Sequence, residues 1–469
     1  MASASNRSNQ SRRQGNSIAI GGSGNGAGDS GPTGDDAATT GRYLVLFREG
    51  AAEQGMQMLS DQLGMSAMLA STFEASAVAA DTLASDNIVF DTLGVAVVNV
   101  PPDQQQGLSF MATDDSAILA VEKERIVYAI DDGVPVIGAP DATRRVLADY
   151  LRGYQAAVTH LVDDLMADGA TMTVEGEASG VSAETGLTWG LQATGVGSTR
   201  FTGKGVRVAV LDTGFDFGHP DFAGRRISSR SFIDGETADD GHGHGTHCVG
   251  TACGPQRPGQ MPRYGVASEA EIYVGKVLSN AGSGSDSGIL AGIEWAIANN
   301  CAVISMSLGA RTTVGRPHSA VFEAVARRAL AAGALIVAAA GNNSDRPNRI
   351  DPVSHPANCP SILAVGAVDS QLAIARFSCG ARNGNGGQVD IAGPGVDVRS
   401  SWLRPVLYRS ISGTSMATPH VAGIAALYAE ANPAMRGGTL GWLLLQGARR
   451  LVLPTRDVGA GLVQAPQAS

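Results

Sequence analysis

Cysteine is scarce in this chain: five among 469 residues, Cys248, Cys253, Cys301, Cys359 and Cys379. So few thiols, and an odd number of them, exclude a disulfide-stapled scaffold. Cys248 and Cys253, five apart, read as two thiols rather than a pair. Charge is thin as well, at 17% of residues, with 34 Lys and Arg against 44 Asp and Glu for a net −10. No block of Lys or Arg exists that could track a phosphate backbone, so nucleic acid is excluded as a partner. Long apolar runs are missing: nothing approaches the roughly 18–20 consecutive residues of a membrane span, and the first 41 residues lack the apolar stretch of a secretory signal. What is abundant is glycine, 61 residues, together with a 43% apolar fraction. The apolar fraction supplies a large core, and the glycine supplies tight turns and close backbone approaches. The length rules out a single small binding module.

Four stretches succeed one another. Residues 1–41 are dominated by Gly, Ser, Asn, Asp and Ala, as in GGSGNGAGDSGPTGDD, and cannot bury enough apolar surface to offset ordering entropy; they read as a flexible leader. Residues 42–130 read as a small α+β module, with strands at 43–47, 94–100 and 125–130, a helical stretch at 51–65 and a further helix between the last two strands. Residues 131–186 are a connector. Within it, apolar residues at three- and four-residue steps from Asp141 to Ala167 predict one long amphipathic helix, a packing element or partner-binding face, before a small, acidic, nickable stretch. From 187 to 469, buried-type strands (206–211, 271–278, 303–308, 335–340, 362–368) alternate with helical patterns such as 287–299 and 318–332. That alternation predicts an α/β fold, a mostly parallel sheet flanked by helices, with its active site at the carboxyl ends of the strands.

The chemistry gathers at those strand ends. Strand 206–211 runs into Asp212-Thr213-Gly214, which sets a carboxylate where it can orient another group. Gly241-His242-Gly243-His244-Gly245-Thr246-His247-Cys248 offers proton carriers in a glycine loop ahead of an apolar helix. Gly413-Thr414-Ser415-Met416-Ala417 opens another helix, so the Ser415 hydroxyl sits where negative charge is stabilised. Asn342 follows strand 335–340 and can donate to an oxyanion. A serine hydroxyl needs an imidazole to take its proton, and the imidazole needs a carboxylate to fix its tautomer. Taken singly, Asp212 reads as well as a turn cap and Ser415 as a helix N-cap. Zinc bound by His242, His244 and His247 is disfavoured, because no carboxylate stands at an HExxH-type spacing. Gly-Thr-Ser-Met-Ala also lacks the second glycine of GxSxG, which argues against an α/β-hydrolase nucleophile.

The motifs VAVLDTG, GHGTHCVGT, AAAGNN and GTSMATPHVAG resemble those of the subtilisin-like serine peptidases, and the cysteine directly after HGTH resembles the proteinase K branch. The resemblance covers about 187–433. It implies a serine endopeptidase acting through an acyl-enzyme, with Asp212 as orienting carboxylate, His244 as general base and acid, Ser415 as nucleophile, Asn342 as oxyanion donor and His247 in a structural role. It implies further that a protein or peptide substrate lies as a middle strand between Ser307-Leu308-Gly309 and Gly282-Ser283-Gly284. Asp286 then stands at the distal P4 pocket, arguing against bulky apolar side chains there. Ser354 at the base and Asn343 on the rim of the P1 pocket favour medium or large uncharged residues.

Residues 42–130 resemble the family's inhibitory propeptide, so the chain is expected to be a self-processing zymogen whose own propeptide is its intramolecular inhibitor. The connector departs from that pattern and leaves the first cut anywhere from Ile130 to Leu187. A permanently self-inhibited binding protein is the rival reading. No cofactor or catalytic metal is implied. The family's calcium loop is represented by Pro255–Gln260, poor in oxygen ligands, with Asp221 as the surviving candidate. Cys248 is expected to be a small buried residue, with closeness to the histidine, near enough for thiol reagents to inhibit, as the lesser alternative. The propeptide points to export and the missing signal to the cytoplasm, so the compartment stays open.

Overall fold

The computed structural model describes residues 38–64, 68–69, 87–113, 115–130, 186–259, 262–384 and 386–467. The expected helix at 141–167 and most of the leader lie outside them.

The first part of the chain orders as β1 (Thr39–Phe47), α1 (Ala52–Leu63), β2 (Met68–Leu69), β3 (Ile88–Phe90), β4 (Val95–Val98), α2 (Gln105–Phe110) and β5 (Ile118–Ala129). β1 begins within the expected leader. β5 is much longer than the strand expected at 125–130, because its polar run Glu122-Lys123-Glu124-Arg125 is strand as well. β1 pairs antiparallel with both β4 and β5, and β4 with β3. Strand geometry sends alternate side chains to opposite faces. Tyr43, Val45, Phe47, Ala96 and Val98 therefore build one small core with Leu59 and Leu108. Leu44, Leu46, Val95 and Val97 pack on the other side with Ile289, Ile293, Phe322 and Val325.

The second part comprises α3 (Trp189–Ala193), β6 (Arg207–Asp212), β7 (Ile227–Ser231), α4 (His244–Cys253), β8 (Glu271–Lys276), β9 (Ser283–Ser285), α5 (Asp286–Ala298), β10 (Val303–Met306), β11 (Leu308–Gly309), α6 (Ala320–Ala331), β12 (Leu335–Ala339), β13 (Leu363–Val368), β14 (Ile391–Pro394), β15 (Val398–Ser401), β16 (Tyr408–Ile411), α7 (Thr414–Ala431), α8 (Gly437–Gly447) and α9 (Thr455–Val458). Seven strands form one sheet in the order β14-β13-β12-β10-β6-β8-β7, and every pairing in it is parallel. This is the expected α/β layering. Strands buried on both faces need apolar side chains throughout, as in Val303-Ile304 and Leu335-Ile336-Val337, and helices cover both sides. The expected strand 303–308 breaks after Met306, and Leu308–Gly309 leaves to pair with β5 instead.

β5 thus belongs to two structures. Its first half is an edge of the N-terminal sheet. Its last residues run antiparallel between β9 and β11, with Val127 opposite Gly284 and Tyr128 opposite both Ser283 and Gly309. Two carboxylates of β5 meet helix N-termini, where free N–H groups and the helix dipole favour an anion. Glu122 accepts from Ala320 N at 2.6 Å at the start of α6. Glu124, fully buried, accepts from Ser287 N at 3.0 Å at the start of α5 and pairs with Arg42 Nε at 2.7 Å. Among the described residues no helix is long and apolar enough to cross a membrane.

Candidate active site

Three neighbouring strands at the centre of the sheet, β12, β10 and β6, deliver Asn342, Ser307 and Asp212 to their carboxyl ends, the crevice such sheets use for ligands. Asp212 Oδ1 lies 2.7 Å from His244 Nδ1, with both side chains buried. His244 is the first residue of α4, preceded by Gly243 at φ 102°. A Cβ at Gly243 would stand 2.5 Å from the Trp402 ring, so the turn that presents His244 needs a glycine. Burial opposes charge on the His244 imidazole, but the adjacent Asp212 carboxylate outweighs it and holds the ring well above the usual histidine range. Nε2 of His244, the ring nitrogen opposite the one that meets Asp212, is buried with no hydrogen-bond partner among the described residues.

Ser415 occupies the first turn of α7. Its hydroxyl donates to Ser307 O at 3.1 Å, while Ser307 Oγ donates to Ser415 O at 2.8 Å. The Ser415 hydroxyl also meets the carbonyl oxygen of Ile130, one residue beyond β5. Asn342 Nδ2 donates to that same oxygen at 3.3 Å. The orientation of the Asn342 amide follows from its other end, where Oδ1 accepts from Thr414 N and Thr414 Oγ1, both at 2.9 Å. Ser415 and Asn342 thus meet at one peptide carbonyl, and the hydrogen-bonded pair Asp212 and His244 stands at the carboxyl end of a neighbouring strand of the same sheet.

The peptide is held as an extended strand. Ile130 N donates to Ser307 O at 3.4 Å and Ala129 N to Gly282 O at 2.9 Å, completing the ladder with Ser283, Gly284, Leu308 and Gly309. The Ile130 side chain runs towards Gly309, where an added Cβ would stand 3.0 Å from Ile130 Cδ1 and 3.5 Å from Ser354 Cβ. Ser354 Oγ in turn reaches Asn343 Oδ1 at 3.4 Å. Asp286, expected at the P4 pocket, is wholly buried and meets Arg125, the sixth residue counting back from Ile130, whereas Val127, the fourth, lies opposite Gly284. Asp286 Oδ1 lies 2.9 Å from His355 Nε2, and Oδ2 accepts from Arg125.

Several contributors escaped the sequence. Asp240 is buried beside the histidine loop, and its two oxygens accept from Thr213 Oγ1, His242 N, Gly243 N, Thr246 N and Thr246 Oγ1. It ties the segment carrying Asp212 to the segment carrying His244. An acid directly before Gly241-His242-Gly243 was the available signal. Thr414, which orients Asn342, is the second. Lys276, fully buried, donates to Thr213 O at 2.5 Å and pairs with Glu236 at 3.2 Å.

His247 Nε2 lies 2.9 Å from Val398 O, and burial pushes its imidazole down to about 3, in keeping with a structural role. Cys248 Sγ lies 3.9 Å from His244 Nδ1, and burial pushes the thiol up to about 11. All five cysteines are free thiols. Asp212, His244 and Cys248 bring three donor atoms together. However, 2.7 Å between the first two is a hydrogen-bond spacing, whereas ligands about 2.0 Å from a tetrahedral zinc stand more than 3 Å apart. The Asp221 carboxylate accepts from Tyr264 OH at 2.6 Å, from Tyr408 OH at 3.1 Å and from Gly259 N at 3.1 Å. Hydrogen-bond donors surround it in place of the six to eight oxygen ligands calcium takes, and this set does not fit that ion.

Comparison with known proteins places these features. The sequence profile of the subtilase family matches residues 203–462, more than half of the chain. The alkaline protease of Alkalihalobacillus alcalophilus is 39% identical over 312 residues, 66% of this chain and 76% of that protein. M-protease of Shouchella clausii is 36% identical over 364 residues, 76% of this chain and 86% of that protein. Subtilisin E of Bacillus subtilis is 41% identical over 245 residues, 52% of this chain and 60% of that protein. Among solved structures, a cold-adapted subtilisin-like serine proteinase superposes with a TM-score of 0.50 at 33% identity, covering 61% of this chain and all of its own.

Proposed function

Because the chain belongs to the subtilase family and is a serine endopeptidase, we propose that it works through Asp212, His244 and Ser415 and is made as a zymogen that cuts itself after Ile130. The observation that carries this reading is the Ile130 carbonyl, met at once by the Ser415 hydroxyl and by Asn342 Nδ2. Ser415 Oγ attacks the Ile130 carbonyl carbon while His244 Nε2 takes the hydroxyl proton. Asp212 stabilises the imidazolium, and Asn342 donates to the oxyanion. The proton then passes to the departing nitrogen of Asp131, leaving an acyl-enzyme on Ser415. A water molecule, deprotonated by His244, hydrolyses that ester to the Ile130 carboxylate.

The new carboxyl terminus stays in the cleft as the end of β5, so cutting alone does not free the site. Residues 42–130 are then the intramolecular inhibitor, anchored by Glu122 and Glu124 on the N-termini of α6 and α5. The alignment with M-protease supports the propeptide reading, since it is longer than the whole stretch from Leu187 to Ser469 and takes in chain before it. Cleavage here leaves the connector 131–186 on the peptidase.

Intact mass after incubation at neutral pH tests the reading. Wild type is expected to yield one fragment ending at Ile130 and one beginning at Asp131, whereas Ser415→Ala stays whole at 47.9 kDa. A chain that stays whole in both, with no fluorophosphonate label on Ser415 after limited trimming, would overturn it in favour of a self-inhibited binding protein.

A further inference from the structure

The inference rests on the reading that Ile130 donates the cleaved carbonyl, and it extends that reading to substrate choice. Counting back from Ile130, Arg125 is the sixth residue before the cut. Its backbone N–H donates to Asp286 Oδ2 at 3.0 Å, and its guanidinium Nη1 lies 3.4 Å from the same oxygen. Asp286 is the first residue of α5 and is wholly buried, an unusual place for a carboxylate. Its other oxygen is tied to His355 Nε2. Among the described residues, Oδ2 takes its hydrogen bonds from Arg125 alone. When β5 leaves, Asp286 is uncovered, with one oxygen tied to His355 and the other open to a donor from the next chain laid over it and buried again beneath that chain.

An unmatched buried acceptor is costly, and a charged one more so. An incoming chain that lies along β9 as β5 does brings a backbone N–H to Oδ2 whatever its sequence. Only a basic side chain at the sixth position adds a cation. An acidic one sets two carboxylates together at a site of low polarity.

We propose that Asp286 is a specificity-determining residue that selects Arg or Lys six residues before the cleaved bond and rejects Glu and Asp there. His355 acts through Asp286, holding the carboxylate so that its free oxygen faces the sixth residue of the bound chain. In the zymogen Glu122 shares the Arg125 guanidinium at 3.2 Å. A substrate lacking such a neighbour leaves Asp286 as the nearest anion, and the discrimination falls on it more fully.

Quenched-fluorescent peptides X-Ile-Val-Tyr-Ala-Ile-Asp-Asp, with Arg, Gln or Glu at X, test this on the wild-type enzyme after processing and separation from residues 1–130, and on Asp286→Asn prepared in the same way. For wild type, kcat/KM is expected to be about fivefold higher for Arg than for Gln and at least tenfold higher for Arg than for Glu, as a partly buried ion pair provides. The Arg-to-Glu ratio should shrink in about 1 M salt, which screens it, and should fall below twofold in Asp286→Asn. Each ratio is taken within one enzyme, so a change in overall turnover does not enter. Should the variant not fold, the wild-type ratios and their salt dependence decide alone. Wild-type ratios within twofold, or a variant that keeps the full Arg preference, would overturn the assignment of Asp286. Cleavage at a bond other than Ile-Asp would instead overturn the register on which the cut after Ile130 depends.

Discussion

Glu294 makes the grip of the N-terminal module on the peptidase depend on pH. It lies on α5, against the turn Asp91–Leu93 of the module. Burial, with the Asp91 carboxylate adding to it, pushes the Glu294 carboxyl from an ordinary 4.5 up to about 7, although hydrogen bonds from Thr92 favour its ionised form. One of its oxygens, Oε1, has no hydrogen-bond partner among the described residues. A carboxyl raised by docking is protonated readily in the docked state, so docking is strongest below the ordinary carboxyl range. It weakens as pH climbs from about 4.5 to about 7 and is level above that. The interval is worth about 3 kcal/mol at 1.36 kcal/mol per unit, roughly 100-fold in the docking equilibrium. Fluorophosphonate labels Ser415 only when β5 is out of the cleft, so the labelling rate of the processed complex reads that equilibrium. His244 also titrates, and the ratio of wild type to Glu294→Gln at each pH removes its contribution. The ratio should rise about 100-fold from pH 4.5 to 7 and then stay flat. A ratio that is flat throughout, or that falls with pH, would refute the reasoning.

Replacing Asn342 by Ala removes the donor to the Ile130 oxygen together with the acceptor for Thr414; turnover on peptides should drop on the order of 100- to 1,000-fold, a magnitude that belongs to the oxyanion asparagine of a subtilisin, and an undiminished kcat would remove Asn342 from the site. Asp240→Ala strands five donors around the histidine loop, four of them in buried bonds; denaturant unfolding should show a loss of about 3 kcal/mol or more, with activity falling alongside, and an unchanged midpoint would show that the loop is held otherwise. Chelation by EDTA should leave both melting temperature and activity unchanged, because Asp221 is already met by two tyrosine hydroxyls and an N–H; a fall in melting temperature restored by calcium would show a site elsewhere.

Much of the layout was legible because it follows from periodicity and backbone chemistry. Buried parallel strands must be continuously apolar, and those from β6 to β13 read that way to within a few residues of their ends. The helix at 51–65 appears as α1, Ala52–Leu63, and the residues of the four motifs meet at the sheet's carboxyl edge. What stayed hidden depends on partners distant in sequence. Glu122-Lys123-Glu124-Arg125 looks like a solvated charge run, so the first half of β5 was lost. Its charges are there to meet helix N-termini and Asp286, 161 residues away in the case of Arg125. β7 is half-polar on an outer edge, and β11 is two residues long; neither carries a periodic signal. Asp240 and Lys276 are buried polar groups, which sequence alone cannot tell from surface ones.

The double membership of β5 has one further consequence. A free peptide entering the cleft must give up the flexibility of each residue it lays down, at about 1–2 kcal/mol apiece. The end of β5 has little such freedom left, because it continues a strand already pinned by β1 and by two anchoring carboxylates. Preorganisation of that kind strengthens binding only while the pinning lasts. Damage to the small core around Phe47, Leu59 and Leu108 would turn a rigid plug into a loose tail that competes with ordinary substrates and, being cleavable, is consumed as one. Under the proposed zymogen reading, the lifetime of the inhibited state is set by the folding of about ninety residues whose last carbonyl meets Ser415 and Asn342.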